Sequence, residues 1–262
     1  MNELDEKLGV IMENTNRMSQ ILEAMLHLQR IAQLEDGHIY EFLHMDRHVR
    51  MSLPLAQRDY IQKEIIRKGK FYESRLLDHL RDSTDIKKGS IIYDVGANIG
   101  NHSVYFGLFF GPSLLVSIEP QQTASQTLRT NLEFNKLNNA RIVNCLLGSM
   151  EGTGSISHFG QNNTGGTTFR EDPRGEVPMR KLDSVIKEQS DGKVDFLKMD
   201  VEGMHVQVLS GAVKTLEEAR PKIWIELRAH KGEYESGSKF LAKYGYKQSM
   251  KLGAHDYVFD PE

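Results

Sequence analysis

The stretch IIYDVGANIGNHS, residues 91–103, decides the fold. It opens with apolar and β-branched residues, closes that run on an acid at Asp94, and then turns through Gly96 and Gly100 toward a helix-forming segment. A strand that leads through a glycine turn into a helix is the opening unit of a parallel α/β sheet, and such sheets bind ligands at the carboxyl ends of their strands. Gly96 lacks a Cβ and lets the backbone approach a ligand closely. Asn98 belongs to the few non-glycine types that tolerate positive φ. Gly100 would let the helix pack tightly on the strand.

Working outward, strands alternate with helices. LLVSIE (114–119) is a second strand and 122–135 a helix, ARIVNCLL (140–147) a third strand, VDFLKMD (194–200) a fourth and KIWIEL (222–227) a fifth. The segments RKLDSVIKEQ (180–189), VQVLSGAVKTLEEA (206–219) and SGSKFLAKYG (236–245) have helical periodicity. YKQSMKL (246–252) and DYVFD (256–260) close the sheet as an antiparallel pair. The fold class is α/β, a doubly wound Rossmann-like sheet. Between the third and fourth strands lies QNNTGGTTFRED (161–172), polar with paired glycines, which reads as a loop and a candidate lid on the acceptor side.

The turn also says which ligand to expect. A dinucleotide fingerprint, G-x-G-x-x-G, would need glycine where Asn98 and Asn101 stand, which argues against a pyrophosphate cradle and so against NAD. Asp94 offers a carboxylate to the ammonium group of a sulfonium ligand. Glu119 ends the second strand about 20 residues past the turn, where an acid reaches ribose hydroxyls. The candidate cofactor-binding residues are therefore Asp94, Gly96, Ala97, Asn98, Gly100, Glu119 and Pro120.

Several motifs occur in order: DVGANIGNHSVYF (94–106), SIEP (117–120), Asn131 and Asn135 in an N-x-x-x-N spacing, KMDVEG (198–203), and a strand ending in Glu226. This succession resembles the FkbM family of methyltransferases over roughly residues 70–228, and KFYESRLLDHL (70–80) and RKLDSVI (180–186) are similar to that family as well. The resemblance implies the class I methyltransferase fold, S-adenosylmethionine as methyl donor, and O-methylation of a hydroxyl on a sugar, a glycan or a natural product. It divides the chain into a helical extension (1–50) and a methyltransferase domain (51–262).

KMDVEG carries Lys198, Asp200 and Glu202 at alternate positions, which in a strand share one side. Methyl transfer to a hydroxyl needs the oxygen held in line and its proton removed. Asp200 is the preferred acid for that work, and Glu202 could share it or merely favour the amino end of the next helix. His205, where the family often has a carboxylate, is an alternative base able to titrate near neutral pH. Glu226 is a further acceptor contact, so the catalytic candidates are Asp200, Glu202, His205 and Glu226. His230 reads as a solvated loop histidine. Oxygen ligands with one imidazole would suit Mg²⁺ or Mn²⁺, yet acids beside a sulfonium need no ion, and none is assigned. Tyr72, Phe159 and Phe169 could contribute to an acceptor platform, whereas Trp224 reads as sheet core.

Composition bounds the rest. The chain has 262 residues, with 33 Lys and Arg against 36 Asp and Glu for a net charge of −3, so no nucleic-acid partner is expected. Cys145 is the only cysteine, which excludes an intramolecular disulfide. With no basic-then-apolar leader and no apolar run of about 20 residues, a cytoplasmic setting is expected. Leu4, Leu8, Ile11, Met18, Leu22 and Met25 recur at heptad spacing, with the polar Thr15 on the seam. A helix over residues 2–35 follows, either a homo-oligomerising coiled coil or a helix folded onto its own domain. It is broken by Asp36-Gly37, and Pro54 marks another boundary. Residues 59–82 read as helical again. Two other functions compete with methyl transfer: an NAD-dependent sugar-modifying enzyme, and a non-catalytic methyltransferase-like subunit of a glycan-assembly complex.

Overall fold

The computed structural model describes residues 3–32 and 39–262. The Asp36-Gly37 break lies outside the described residues, as does the Leu4 side chain. In chain order the elements are a long helix α1 (Glu3–Ala32), a hairpin of β1 (Ile39–His44) and β2 (Arg47–Ser52), and helices α2 (Tyr60–Lys68) and α3 (Ser74–Ser83). Then come β3 (Ile91–Val95), α4 (Asn101–Phe109), β4 (Leu114–Ile118), α5 (Gln122–Phe134) and β5 (Ala140–Val143). Next are β6 (Leu146–Leu147), β7 (Gly152–His158), β8 (Thr168–Glu171), β9 (Val177–Arg180) and α6 (Leu182–Ser190). The chain ends with β10 (Phe196–Met199), α7 (His205–Ser210), β11 (Lys222–Glu226), α8 (Glu233–Ala242), β12 (Tyr246–Lys251) and β13 (Asp256–Pro261).

The main sheet runs β12-β13-β11-β10-β3-β4-β5. β11, β10, β3, β4 and β5 are parallel, and β13 and β12 close the sheet antiparallel, as the sequence implies. The chain starts at β3, winds outward through β4 to β5, then returns to β10 on the other side. The junction of the paired strands β3 and β10 is thus the topological switch point, where a crevice opens at the strand ends.

Alternation along the strands divides the core into two layers. Ile92 packs with Leu77, Leu80, Phe106, Leu128 and Trp224 under α3, α4 and α5. Its neighbours Tyr93 and Val95 pack on the opposite face with Val185, Leu197, Val208 and Leu241, under α6, α7 and α8. Trp224 is buried, as its place in KIWIEL implies. Each such side chain contributes about 1.5–3 kcal/mol on burial.

Two glycines of the deciding turn admit neighbouring chain. Gly96 has φ +78, and a Cβ there would stand 1.8 Å from the Asp200 carbonyl oxygen, so its bare backbone makes room for the residue that follows β10. Gly100, at φ +88, packs against Leu128 of α5, where a Cβ would meet Leu128 Cδ1 at 2.6 Å, rather than against the strand. Asn98 has φ 48, in keeping with its residue type.

Four further differences concern elements. Residues 39–52, read as part of a helical extension, form a hairpin whose Tyr40, Phe42, Val49 and Met51 enter the α3–α5 core layer. Its turn places Met45 at φ 51, so the sequence carries none of the Gly or Asn that usually marks such a turn. The 59–82 helix is two helices, because Gly69 adopts the left-handed conformation and caps α2. The third strand divides into β5 and β6, and the loop-rich stretch after it builds with β6 a second sheet in the order β6-β9-β7-β8. The helix over 206–219 is only α7, followed by a π-turn at Thr215–Ala219.

The hairpin is fastened by the N-x-x-x-N pair on α5. Asn131 Oδ1 accepts from the Ser52 N–H (2.5 Å), and its Nδ2 donates to the Ser52 carbonyl (3.3 Å) and the Ile99 carbonyl (2.8 Å). One helical turn on, Asn135 accepts from the Arg50 N–H (3.2 Å) and donates to the Arg50 carbonyl (2.7 Å). Two side-chain amides four residues apart therefore imitate a pairing strand for alternate residues of β2. Asn101 treats Tyr72 likewise, at 2.9 and 3.0 Å.

Over its visible seam α1 is uncovered: Leu8, Ile11, Met18, Leu22 and Met25 are all exposed, Met18 by 69%. Thr15 returns its hydroxyl to the Ile11 carbonyl at 2.8 Å. The last turn touches α2, where the Arg30 guanidinium donates to the carbonyls of Ile66 and Arg67. No helix among the described residues is long and apolar enough to cross a membrane.

Candidate active site

A cleft of about 450 Å³ opens at the switch point, above the carboxyl ends of β3, β4, β10 and β11. Of the residues expected to bind a donor, Gly96, Ala97, Asn98, Glu119 and Pro120 line it. Gly100 and Asp94 do not. Gly100 is the residue before α4, and Asp94 lies under the cleft floor, fully buried. Asp94 shares the face of Ile92, so it points at α4, where Ser103 Oγ donates to its Oδ2 at 2.5 Å. Its Oδ1 has only the Lys198 ammonium at 3.6 Å.

Glu119 occupies one end of the cleft. Its Oε2 accepts from the Asn98 N–H and its Oε1 from the Gln121 N–H, each at 2.8 Å. Burial pushes its carboxyl up to about 7, against the pull of those two amides. Two amide oxygens lining the same cleft, Asn98 Oδ1 and Asn163 Oδ1, are buried without a hydrogen-bond partner. Phe169 and Leu146 add apolar wall, together with Cys145, whose thiol burial pushes up to about 12.

The opposite end is acidic and crossed by two cations. Lys198, almost fully buried, stands between Asp94 and Asp200, 3.8 Å from Asp200 Oδ2. Burial would lower its pKa, but Asp94, Asp200, Glu73 and Glu226 together raise it. Burial likewise raises Asp200, with Lys198 opposing. Arg228 lies past the end of β11 and makes a two-pronged pair with Glu202, 2.8 Å at Nη2–Oε1, while Nη2 also reaches Glu226 Oε1 at 2.9 Å. Glu226 is pushed up, chiefly by burial and by Asp200, with Arg228 opposing.

Of the expected catalytic residues, Asp200, Glu202 and Glu226 line the cleft and His205 does not. Glu202 does not continue the strand alternation: β10 ends at Met199 and Glu202 sits in a turn at φ 43, ahead of α7. His205 is buried at the start of α7, its Nε2 2.8 Å from Ser236 Oγ, and burial lowers its pKa. Phe159 is exposed and outside the cleft, Tyr72 and Phe169 are in it, and His230 is exposed on its loop.

Sequence reasoning missed Glu73, His102, Arg228, His255 and Asp256, which all line the acidic end. Glu73 precedes α3 with φ 57, and its Oε2 lies 3.3 Å from His102 Nε2. Burial raises the Glu73 carboxyl, but His102 and Lys198 outweigh it and hold it low. Asp256 Oδ1 accepts from Trp224 Nε1 at 3.1 Å and is raised by burial to about 6. His102 was within reach, one residue past Asn101 in the quoted turn. Glu73 and Asp256 carry no spacing signal, because they arrive from either end of the chain. Among the described residues no three His, Cys, Asp or Glu side chains are placed to hold a metal ion.

The sequence model of the Methyltransferase FkbM domain matches residues 94–248. "Methyltransferase 1" of Beauveria bassiana (strain ARSEF 2860) is 23% identical over 215 residues, 74% of this chain and 82% of that protein. "Methyltransferase sdnD" of Sordaria araneosa is 25% identical over 205 residues, 65% of this chain and 75% of that one. The crystal structure of Methyltransferase FkbM from Methylobacillus flagellatus KT superposes with a TM-score of 0.51 at 20% identity, over 68% of this chain. This chain spans 44% of that protein's length. The matched residues take in β4, β5, β10 and β11 together with Glu119, Asp200 and Glu226, so the chain belongs to the FkbM family of methyltransferases and has the class I, Rossmann-like fold.

Proposed function

We propose that the chain is an S-adenosylmethionine-dependent O-methyltransferase acting on a hydroxyl of a sugar, glycan or natural product. The observation that carries this is the division of one cleft into two chemically distinct ends. At one end Glu119, a carboxylate held by two backbone amides, keeps lone pairs for ribose hydroxyls. There too the unpartnered oxygens of Asn98 and Asn163 suit an amino or ammonium group. The donor supplies an electrophilic methyl group on a sulfonium. Asp94 acts from beneath the floor, fixing Lys198 and the start of α4.

At the other end Asp200 orients the acceptor hydroxyl and takes its proton, its basicity raised by burial. Glu226 and the Glu202–Arg228 pair offer hydrogen bonds to neighbouring hydroxyls. The exposed apolar seam of α1 joins copies of the chain, and the single buried Cys145 fits a reducing cytoplasm. The test is an assay with methyl-labelled donor against a panel of glycans, lipid-linked saccharides and hydroxylated small molecules. Label transferred to a hydroxyl supports the proposal. Binding of NAD in place of S-adenosylhomocysteine would end it.

A further inference from the structure

Asp59 is a fully buried acid outside the cleft, immediately before α2. Its Oδ1 accepts from the Gln62 N–H at 3.0 Å, an ordinary helix cap. Its Oδ2 does something a cap does not need. It accepts from the Thr164 N–H at 2.8 Å and from the Thr164 hydroxyl at 3.0 Å, across 105 residues of chain. The adjacent Tyr60 N–H donates to the Asn162 carbonyl at 2.8 Å.

Residues 160–167 form a strap between β7 and β8, and Asn163, Gly165 and Thr167 of it line the donor end of the cleft. Gln121 Nε2 donates to the Thr164 carbonyl at 3.0 Å. A Cβ on Gly165 would stand 3.0 Å from both Asn98 Nδ2 and Ile61 Cδ1, so the strap lies against the donor turn and α2. A strap of small polar residues with two adjacent glycines gains little from apolar burial and loses much entropy when ordered. Charge-assisted hydrogen bonds to one buried carboxylate are about twice as strong as neutral ones and can hold it.

We propose that Asp59 is a positioning residue of the donor site, tying the strap over the cleft so that donor affinity depends on that tie. This rests on the donor assignment above. Asp59→Asn keeps an oxygen for the Gln62 cap but cannot offer a full second acceptor to Thr164, while Thr164→Val removes only the hydroxyl half. Hydrogen exchange of the free full chain and calorimetry with S-adenosylhomocysteine read the two consequences. In Asp59→Asn, exchange rises at 160–167 and not in the main sheet, and affinity falls about tenfold. Thr164→Val gives a smaller change in both.

Unchanged strap exchange overturns the tie. Faster strap exchange with unchanged affinity overturns its role in binding, and faster exchange throughout the sheet would make Asp59 a general structural residue. Failure of the unmutated chain to bind S-adenosylhomocysteine would defeat the donor assignment, and with it the binding role. Exchange at the strap would still report whether the tie exists.

Discussion

Glu119 shows how one burial sets a pH dependence. Its carboxyl titrates at about 7 because burial disfavours the charge. The ribose hydroxyls of the proposed donor would donate to the ionised form, so donor binding should be strongest above that pH and weaken as pH falls through it. Calorimetry with S-adenosylhomocysteine should show affinity dropping toward about tenfold per pH unit below 7, and Glu119→Gln should abolish that slope. Asp200 makes a different prediction. Asp200→Asn should leave donor affinity within a few-fold and remove turnover, whereas Glu119→Ala and Asp94→Ala weaken binding, the latter through the floor. Equal losses of binding in all three variants would mean Asp200 is misassigned. Both acids were legible in the sequence because each ends a strand of the parallel sheet. Asp94 was legible in place but not in partner, since the pleat that turns it away from the cleft toward Ser103 appears only once the strand is paired. His205 failed for a related reason: from the sequence Glu202 and His205 lie one helical turn apart, but Glu202 adopts positive φ and the helix starts after it.

At the scale of elements, the asparagine pair on α5 converts a family motif into a fastening. Asn131→Leu strips partners from Ser52 and Ile99 and should destabilise the protein by about 3 kcal/mol, since each buried polar group left unpaired costs about 1–3 kcal/mol. Thermal melting should fall by about 6–12 °C. The motif was readable; its partner was not, because the hairpin it grips turns at Met45 and lacks turn chemistry. The second sheet escaped notice for another reason: β7 buries only Gly154, so GTGSISH has no apolar alternation to read. The heptad of α1 was plain, and its described seam residues are exposed. Deleting residues 1–35 should lower the mass in solution by light scattering while donor binding persists. An unchanged mass would remove the coiled-coil assignment.

For the whole molecule, the order β12-β13-β11-β10-β3-β4-β5 is seen only in the structure, while the alternation of strand and helix signals makes the doubly wound sheet and its antiparallel closing pair readable. This is why the architecture was the most legible level of all. What converged on the cleft from distant segments, such as Glu73 and Asp256, was not, because no local pattern records a contact between them. Ligand-linked stability tests the molecule as a unit. S-adenosylmethionine and S-adenosylhomocysteine should each raise the melting temperature, with about 2.7 kcal/mol of added stability at a hundredfold excess over Kd, and NAD should not.

The short helix α2 has a consequence of its own. At about 1.5 Å per residue its nine residues span about 13 Å. One end is gripped by Arg30 through the carbonyls of Ile66 and Arg67, the other by the strap through Asp59. The outer helix and the strap over the cleft thus hold opposite ends of one short helix.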